Sequence, residues 1–428
     1  MNQVKIGILG LGTVGGGVVN VLSKNHQEIS RRCGSDISIE IAAVKDLKQK
    51  RICSTDGFKL TENSNDVVNH PDVEVVLELI GGTSIAKDLT EKALKNKKHV
   101  ITANKALIAK HGNELLKLAK DNSVSILFEA SVAGGIPILK SLGQGLTANK
   151  IDLVAGIING TGNFIMTEMK EKGRDFDDVL MEAQALGYAE ADPTFDIEGI
   201  DAAHKLAILT SIAFGVELNF EEVSTEGISQ VDPEDISIAD ELGYIIKHLG
   251  VAKKINGLID TRVHPTLIPK KRLLANVNGV MNAVLIKGNA VGPTLYYGPG
   301  AGDEATASAV IADLVDLVKG THSNDEFSWK QLERANYIEK DNVESIFYLR
   351  ILASDKPGVL ADITSILAKH NISVESVVQK QIDPDNNAHI AIITNKILTK
   401  EMNKAINEIQ AHDYITGTVK IIPVETLD

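Results

Sequence analysis

The sequence predicts an α/β chain in three parts: a doubly wound parallel sheet, then an α+β unit, then a ferredoxin-like βαββαβ unit. Three observations carry that reading. Residues 1–136 alternate short apolar runs with helical segments, as the strands and crossover helices of a parallel sheet do. Near Pro137 the alternation gives way to mixed helices and strands that continue to about residue 330. Beyond a polar stretch at 331–345, the segment 346–428 runs through strand and helix in the order β-α-β-β-α-β.

VKIGIL at 4–9 is an apolar run and reads as a buried strand, with GLGTVGGGVVNVL following as a loop passing into a helix. IEIAAV (39–44), DVEVVLEL (72–79), HVITA (99–103) and VSILFEA (124–130) are the next strands. LTEKALKNKK (89–98) and NELLKLAKDN (113–122) are helices between them. In the middle unit, IDLVAGII (151–158) and NAVLIKG (282–288) read as strands. The stretch 266–299, rich in Gly, Pro and Asn, reads as strands joined by turns. ATASAVIADLVDLVKG (305–320) is a periodic helix, and 300–325 is expected to pack back on the first unit. KQLERANYIEKDN is polar and reads as a linker. In the tail, IFYLRILA, ISVESVVQKQ, NNAHIAIITN and VKIIPVE are strands, and PGVLADITSILAKHN and TKEMNKAINEIQAH are helices.

Composition excludes several classes of function. The 428 residues allow two or three domains with a sizeable core. No apolar run reaches the ~18–20 residues of a membrane helix, so no membrane partner is expected. Lys5 and Gly7 interrupt the apolar N-terminus, which has no signal-peptide layout. Two cysteines, Cys33 and Cys53, make no disulfide framework and suit a reducing, cytoplasmic setting. A net charge of −13 argues against nucleic acid as a partner, because phosphate contacts need a basic surface.

Gly10, Gly12 and Gly15 form G-x-G-x-x-G, with Thr13 and Val14 between the last two. Alone this spacing is weak. Here it follows a strand, precedes a helix and opens a βαβ unit, as a Rossmann-type dinucleotide site requires. Gly10 permits the tight turn, Gly12 lets the backbone approach a pyrophosphate, and Gly15 lets helix and strand pack closely. The free N–H groups of the helix start face the phosphates. At the end of the second strand a carboxylate would select NAD, whereas a cation would accept the 2′-phosphate of NADP. Lys45 comes first after that strand, ahead of Asp46, so NADP is favoured and NAD is the alternative. The other reading of these charges is a solvated strand end.

The stretch GYAEADPTFDIEGIDAAHK at 187–205 holds five acids, Glu190, Asp192, Asp196, Glu198 and Asp201, and ends in His204 and Lys205. Asp201 and Lys205 are four apart, so on a helix they share a face. Spacing alone fits an exposed ion pair worth only ~0.3–0.5 kcal/mol. Asp192 and Asp196 fit turn caps. The acids do not match the alternating pattern of an EF-hand loop.

The whole string is more specific. Ala183, Gly187, Tyr188, Ala189, Asp192, Pro193, Asp196, Ile197, Gly199, Asp201 and Lys205 resemble the signature of homoserine dehydrogenases. The resemblance covers nearly the entire chain, taking in GLGTVG, TANK (102–105), EASVAGGIP (129–137), GTGN (160–163) and GPGAG (298–302). The tail is similar to an ACT domain, including the D-x-P-G of Asp355, Pro357 and Gly358.

The resemblance implies a reversible NAD(P)H-dependent reduction of L-aspartate-4-semialdehyde to L-homoserine, a step toward threonine, methionine and isoleucine. It implies a nucleotide unit at 1–136, a catalytic and dimerisation unit at 137–330, and a regulatory ACT domain at 346–428. It makes Lys205 the proton donor, with Lys105 of TANK as a second active-site cation, also beside the nicotinamide. Lys105 would lower the Lys205 pKa and Asp201 would raise it. Glu190, Asp201 and, in support, Asp196 become substrate-binding. Asp192 and Glu198 remain turn residues, and His204 a packed or solvated helix histidine. Gly187 and Gly302 become cofactor contacts. EASVAGGIP resembles a monovalent-cation loop, Na+ first, with carbonyls of Val132, Gly134 and Ile136 and with Glu129 alongside; the alternative is a turn holding water. The ACT resemblance implies an amino-acid effector, threonine first, or else a dimerisation module without ligand. A homodimer or homotetramer is expected. Two other readings remain: another ACT-bearing NAD(P) enzyme, such as 3-phosphoglycerate dehydrogenase, and a non-catalytic amino-acid sensor.

Overall fold

The computed structural model describes residues 3–321, 327–380 and 387–428. The first sheet holds β1 (Gln3–Leu9), β2 (Asp36–Ala43), β3 (Lys59–Thr61), β4 (Val75–Glu78), β5 (His99–Thr102) and β6 (Ile126–Leu127). All are parallel, in the order β3-β2-β1-β4-β5-β6. The chain switches direction across the sheet between β1 and β4, and ligand crevices form at such switch points. Ile6, Ile8, Leu9, Val76 and Ile101 are fully buried, because helices cover both faces. β3 is a strand the sequence did not announce.

Three expectations are corrected here. VSILFEA is a strand only at Ile126–Leu127; the chain then leaves the sheet for a 3₁₀ turn at Glu129–Ser131, where Asp313 accepts the Glu129 N–H at 2.8 Å. The helix expected from 113 starts at Lys105, because the Asn104 side chain accepts the Leu107 N–H at 3.1 Å and caps it. The helix expected at 89–98 spans Ser84–Lys95 instead, and left-handed Lys97 ends any continuation.

The second sheet contains β7 (Ile151–Ile157), β8 (Ser224–Thr225), β9 (Tyr244–Ile255), β10 (Leu258–Pro269), β11 (Met281–Gly288) and β12 (Gly292–Pro299). Its main path runs β12-β11-β7-β9-β10. β9 and β10 form a long antiparallel hairpin that the sequence reading did not resolve. Both turn residues, Asn256 and Gly257, have positive φ. The buried helix Ile200–Phe214 lies against β7, β9 and β10.

The helix Asp303–Lys319 packs back on the first unit, joining Ala307, Val310 and Leu314 to Val18 and Leu22 of the Thr13–Lys24 helix. A Cβ on Gly17 would lie 2.4 Å from the Asp303 oxygen, so only glycine allows this approach. Residues 322–325 of the packing segment lie outside the described residues. The polar stretch read as a linker is stitched down: Glu217 N–H donates to the Glu333 carbonyl, and Ile259 N–H to that of Asn336, both at 2.9 Å.

The tail forms β13 (Glu344–Ser354), β14 (Val374–Lys380), β15 (Asn387–Thr394), β16 (Ile397–Leu398) and β17 (Lys420–Val424), with helices Val359–Lys369 and Thr399–Gln410. Apart from the short β16, the order is βαββαβ; positions 381 and 386 of the expected strands lie outside the described residues. The sheet order β17-β13-β15-β14 continues the second sheet through the pairing of Leu267 with Val424. Its helices cover one face. The other face packs Tyr348, Ala391 and Ile422 on Met166 and Ile238 of the middle unit. There Arg350 pairs with Asp235 at 2.6 Å and with Glu234 at 3.0 Å.

Candidate active site

The helix Ile200–Phe214 is apolar on every side, and all its residues from Asp201 on are buried. Burial decides between the two readings of Asp201 and Lys205. They are 4% and 9% exposed, so this is no solvated surface pair. Gly199 precedes the helix with φ 80°, and Asp201 falls in its first turn, where the helix dipole favours a carboxylate. The Lys205 ammonium donates to Asp201 Oδ2 at 2.6 Å and to the Ile158 carbonyl at the end of β7 at 2.7 Å.

The second cation comes from the first unit. Lys105 opens the helix Lys105–Asp121, an end at which the dipole disfavours a cation. Its Nζ lies 2.9 Å from Asp201 Oδ1, so one carboxylate joins two ammoniums. TANK fixes this lysine. The Thr102 hydroxyl donates to buried Glu78 at 2.6 Å and accepts the Asn104 N–H at 2.9 Å, while the Asn104 side-chain amide donates to the Gly82 carbonyl at 2.6 Å.

The electrostatics separate the two lysines. Burial pushes the Lys205 ammonium below its ordinary range, Lys105 adds to that push, and Asp201 opposes it. Burial also acts on Lys105, but Asp201, Asp196 and Glu190 outweigh it and hold Lys105 above its ordinary range. Burial works against ionisation of Asp201, yet Lys205 and Lys105 hold it well below the usual carboxylate range. Burial, which spacing could not supply, decides the direction at Lys205, while Asp201 weighs more on it than Lys105 does.

Asn159, which sequence reasoning missed, organises the rest. It caps the helix Gly160–Lys172 by accepting the Gly162 N–H at 2.6 Å. Its Nδ2 reaches both Asp201 Oδ2 at 2.9 Å and Asp196 Oδ1 at 2.8 Å. Its signal was its place just before GTGN, at an N-cap where Asn is favoured. Burial holds Asp196 above its ordinary range. Glu190 is exposed on the same loop, within electrostatic reach of Lys105. Left-handed Gly187 lies in that loop, which Thr161 ties down by donating to the Tyr188 carbonyl at 2.6 Å. Asp192 accepts from the Thr194 hydroxyl at 2.7 Å and Glu198 from Ser229 at 3.2 Å, both as turn residues. His204 is buried, stacked on Phe220 at 4.3 Å.

The glycine loop lies at the β1/β4 switch. Gly10 has φ 94°, and a Cβ on Gly15 would lie 2.0 Å from the Gly10 oxygen. Gly12 and Thr13 are exposed, Val14 is half-buried, and nothing lies within 4 Å of a Cβ on Gly12. That open space ahead of a helix N-terminus fits a pyrophosphate. Lys45 is exposed at the strand end, while Asp46 is turned to its own loop, accepting the Lys48 N–H at 2.8 Å. Gly302 caps the helix whose first residue, Asp303, approaches Gly17, so it adjoins the nucleotide helix.

The loop of Val132, Gly134 and Ile136 packs on GPGAG, with Gly135 donating to the Pro299 carbonyl at 3.1 Å. The Ile136 carbonyl accepts the Ile138 N–H at 2.8 Å. Glu129 is buried, its oxygens accepting the Leu139 and Lys140 N–H groups at 2.9 and 2.8 Å. Burial and neighbouring Asp313 push its carboxyl up to about 7. Burial likewise pushes Asp313 up to about 6, against the Lys140 ammonium at 3.2 Å. This crowding of buried negative charge fits a cation beside Glu129. Among the described residues no three His, Cys, Asp or Glu side chains group to hold a metal, the acids of 190–201 included.

Comparison with known proteins agrees with this layout. Residues 137–315 match the family described as homoserine dehydrogenase, 10–129 its NAD binding domain, and 347–413 the ACT domain. A homoserine dehydrogenase of Pseudomonas aeruginosa is 52% identical, with 100% of each chain covered. The crystal structure of a homoserine dehydrogenase from Thiobacillus denitrificans superimposes with a TM-score of 0.95 at 52% identity, covering 100% of this chain and 99% of that one. A hyperthermophilic archaeal homoserine dehydrogenase solved in complex with NADPH matches 74% of this chain and 97% of its own, with a TM-score of 0.61 and 27% identity. A nucleotide loop on a parallel sheet, two lysines on one buried carboxylate and this full-length match lead to one conclusion: the chain belongs to the homoserine dehydrogenase family, nicotinamide-dependent oxidoreductases acting on a CH–OH group.

Proposed function

We propose that Lys205 carries the proton in the reduction of L-aspartate-4-semialdehyde to L-homoserine. The observation that carries this reading is Asp201 held between Lys105 and Lys205. When bound, the nicotinamide supplies the hydride that reduces the aldehyde carbon. The Lys205 ammonium gives its proton to the carbonyl oxygen as the alkoxide develops, and the neutral amine takes it back in the reverse reaction. Its lowered pKa makes that proton easier to release, and Lys105 adds positive charge beside the same oxygen. Glu190 and Asp201, with Asp196 in support, receive the substrate ammonium. Asn159 keeps the two aspartates aligned.

Lys45 favours NADP as the cofactor, and the NADPH complex of the archaeal relative supports the same choice. Gly10, Gly12, Thr13, Val14, Gly15, Gly187 and Gly302 approach it through backbone. A monovalent cation, Na+ first, is held by the carbonyls of Val132, Gly134 and Ile136 beside Glu129. The tail responds to an amino acid, threonine first, at the Asp355–Gly358 turn, in a dimer or tetramer. The enzyme works in the cytoplasm on the route to threonine, methionine and isoleucine.

Following NADPH oxidation with aspartate semialdehyde tests the reaction, and kinetics with NADH test the cofactor choice. Lys205→Ala is expected to lower kcat by on the order of 10²–10⁴-fold. Near-normal turnover in that variant would remove the proposal.

A further inference from the structure

GTGN at 160–163 and a buried lysine of β9 meet in a polar plug behind the Asp201 cluster. Lys247 and Asn163 are each 1% exposed. The Lys247 ammonium donates to three oxygens: the Val277 carbonyl at 2.6 Å, Asn278 Oδ1 at 3.0 Å and Asn163 Oδ1 at 3.1 Å. All three are uncharged. Three acceptors match the three protons of an ammonium, whereas a neutral amine has only two to give. Asn163 turns its own amide to the Val277, Gly279 and Met281 carbonyls at 3.1, 2.9 and 3.1 Å. Thr167 Oγ1 accepts the Gly279 N–H at 3.1 Å and donates to the Asn163 carbonyl at 2.6 Å. The stretch 277–281 is thus fastened to the Gly160–Lys172 helix through one cation and two polar side chains.

Burial makes this arrangement costly. An ammonium held by uncharged groups gives up its hydration without a carboxylate in return, and an apolar side chain of similar size is often no less stable. The place of the plug shows what the charge secures. Asn163 lies one helical turn past Asn159, whose amide reaches Asp196 at 2.8 Å and Asp201 at 2.9 Å. A Cβ on Gly160 would lie 2.8 Å from the Val280 carbonyl, so the helix start rests directly on the fastened stretch. Met281 opens β11, which pairs through Ala283 with Ile157 of β7. The carbonyl of the following residue, Ile158, accepts from Lys205. The plug therefore backs both Asn159 and Ile158, the neutral groups that hold the buried aspartate and lysine.

We propose that Lys247 is a positioning residue, a tethered cation in a cage of neutral oxygens that fixes the helix start at Asn159 against β11. Without the ammonium, Asn163 Oδ1 and Asn278 Oδ1 lose the donor they share, and the stretch 277–281 parts from the helix. Asn159 then no longer reaches both aspartates at once, and Ile158 shifts under Lys205. The consequence for catalysis rests on the proposed roles of Asp196, Asp201 and Lys205, whereas the cage and its cation do not.

Lys247→Ala removes the propylammonium end of the side chain, so n-propylammonium is the probe. With NADPH and aspartate semialdehyde, this variant is expected to lose about 10–100-fold in kcat/KM for the semialdehyde, because small displacements of aligned groups cost that much. The KM for NADPH should stay within about twofold, since the nucleotide loop lies on the other sheet. At constant Na+ and ionic strength, n-propylammonium should restore most of the lost rate and raise the melting temperature, while tetramethylammonium does neither. Lys247→Met keeps the length without the charge and should show the kinetic loss with no rescue. Unchanged kcat/KM in either variant, with only a lowered melting temperature, overturns the proposal, because the lysine then serves stability alone. So does a loss that n-propylammonium leaves in place. If Lys247→Ala does not fold, Asn278→Ala, an exposed change that deletes one cage oxygen, should show a smaller loss in the same direction, and unchanged kinetics there overturn the proposal. Asp201→Asn, assayed alongside, keeps the two levels apart. If it leaves the semialdehyde KM and kcat unchanged, the role proposed for Asp201 fails, while rescue of Lys247→Ala still decides positioning.

Discussion

Two buried clusters in this chain use the same residue types in opposite proportion. Around Asp201, one carboxylate joins two ammoniums, Lys105 at 2.9 Å and Lys205 at 2.6 Å. Around Lys140, one ammonium joins two carboxylates, Asp313 at 3.2 Å and Asp316 at 2.7 Å, with buried Glu129 alongside. The minority charge is held ionised in each: Asp201 falls well below the carboxylate range, and Lys140 rises above the lysine range. Among the majority charges, the more deeply buried ones are destabilised, whereas Lys105 is held above its ordinary range. Lys205 is pushed down, while Glu129 and Asp313 are pushed up to about 7 and about 6. Lys247 shows what burial does with no carboxylate bound: its ammonium, held by Asn163, Asn278 and the Val277 carbonyl, falls to about 7. A surplus of cations suits a site that must release a proton. A surplus of anions suits one that must attract a cation.

The largest test removes one aspartate from each cluster: the lone carboxylate from the first and one of the paired carboxylates from the second. Asp201→Ala leaves two ammoniums facing each other without their shared partner, and should cost about 3–5 kcal/mol of stability along with most activity. Asp313→Ala leaves Lys140 its bond to Asp316 and relieves Glu129, so the loss in urea unfolding should be clearly smaller. Equal losses would break the contrast.

A smaller effect is expected at the anionic cluster. Replacing Na+ by tetramethylammonium at constant ionic strength should lower the melting temperature. An ion held there at a hundred times its Kd would stabilise the fold by about 2.7 kcal/mol. Glu129→Gln, which removes the surplus charge, should erase most of that difference. An unchanged ion dependence in the variant assigns the effect elsewhere.

The two clusters also differ in how far sequence could reach them. Lys205, Asp201 and Lys105 were legible because a helical i,i+4 spacing and two short motifs carried them. What spacing could not supply was burial, which turned an apparent surface pair into a buried one. Asn159 stayed hidden because its role depends on a helix start and a loop 37 and 42 residues away meeting at one amide. Asp313 and Lys140 stayed hidden for the same reason, since nothing local marks the approach of a helix 184 residues downstream of Glu129. In the fold, the parallel sheet followed from alternating runs, and the tail from its element order. The β9–β10 hairpin was missed although Asn256–Gly257 is a strong turn signal. Both strands are buried on nearly every residue, so the alternation that marks a half-buried strand is absent.

The finest test concerns the direction of one pH limb. In the proposed mechanism Lys205 gives its proton to the aldehyde oxygen, so the reduction rate falls as pH rises through its folded pKa, which lies below the ordinary 10.5. Lys105 is one of the groups holding it down. In Lys105→Met that push disappears, and Lys205 becomes the one ammonium on Asp201, which raises the pKa further. The alkaline limb of the residual reduction rate should therefore move to higher pH. Homoserine oxidation, which needs the neutral amine, should begin its rise at higher pH as well. Lys105→Arg keeps the cation and should keep the limb in place, separating charge from packing. A limb that stays put in Lys105→Met, or moves downward, would mean that Lys105 has no part in lowering the Lys205 pKa. The second lysine would then only bind substrate, and the cationic surplus would have no part in releasing the proton.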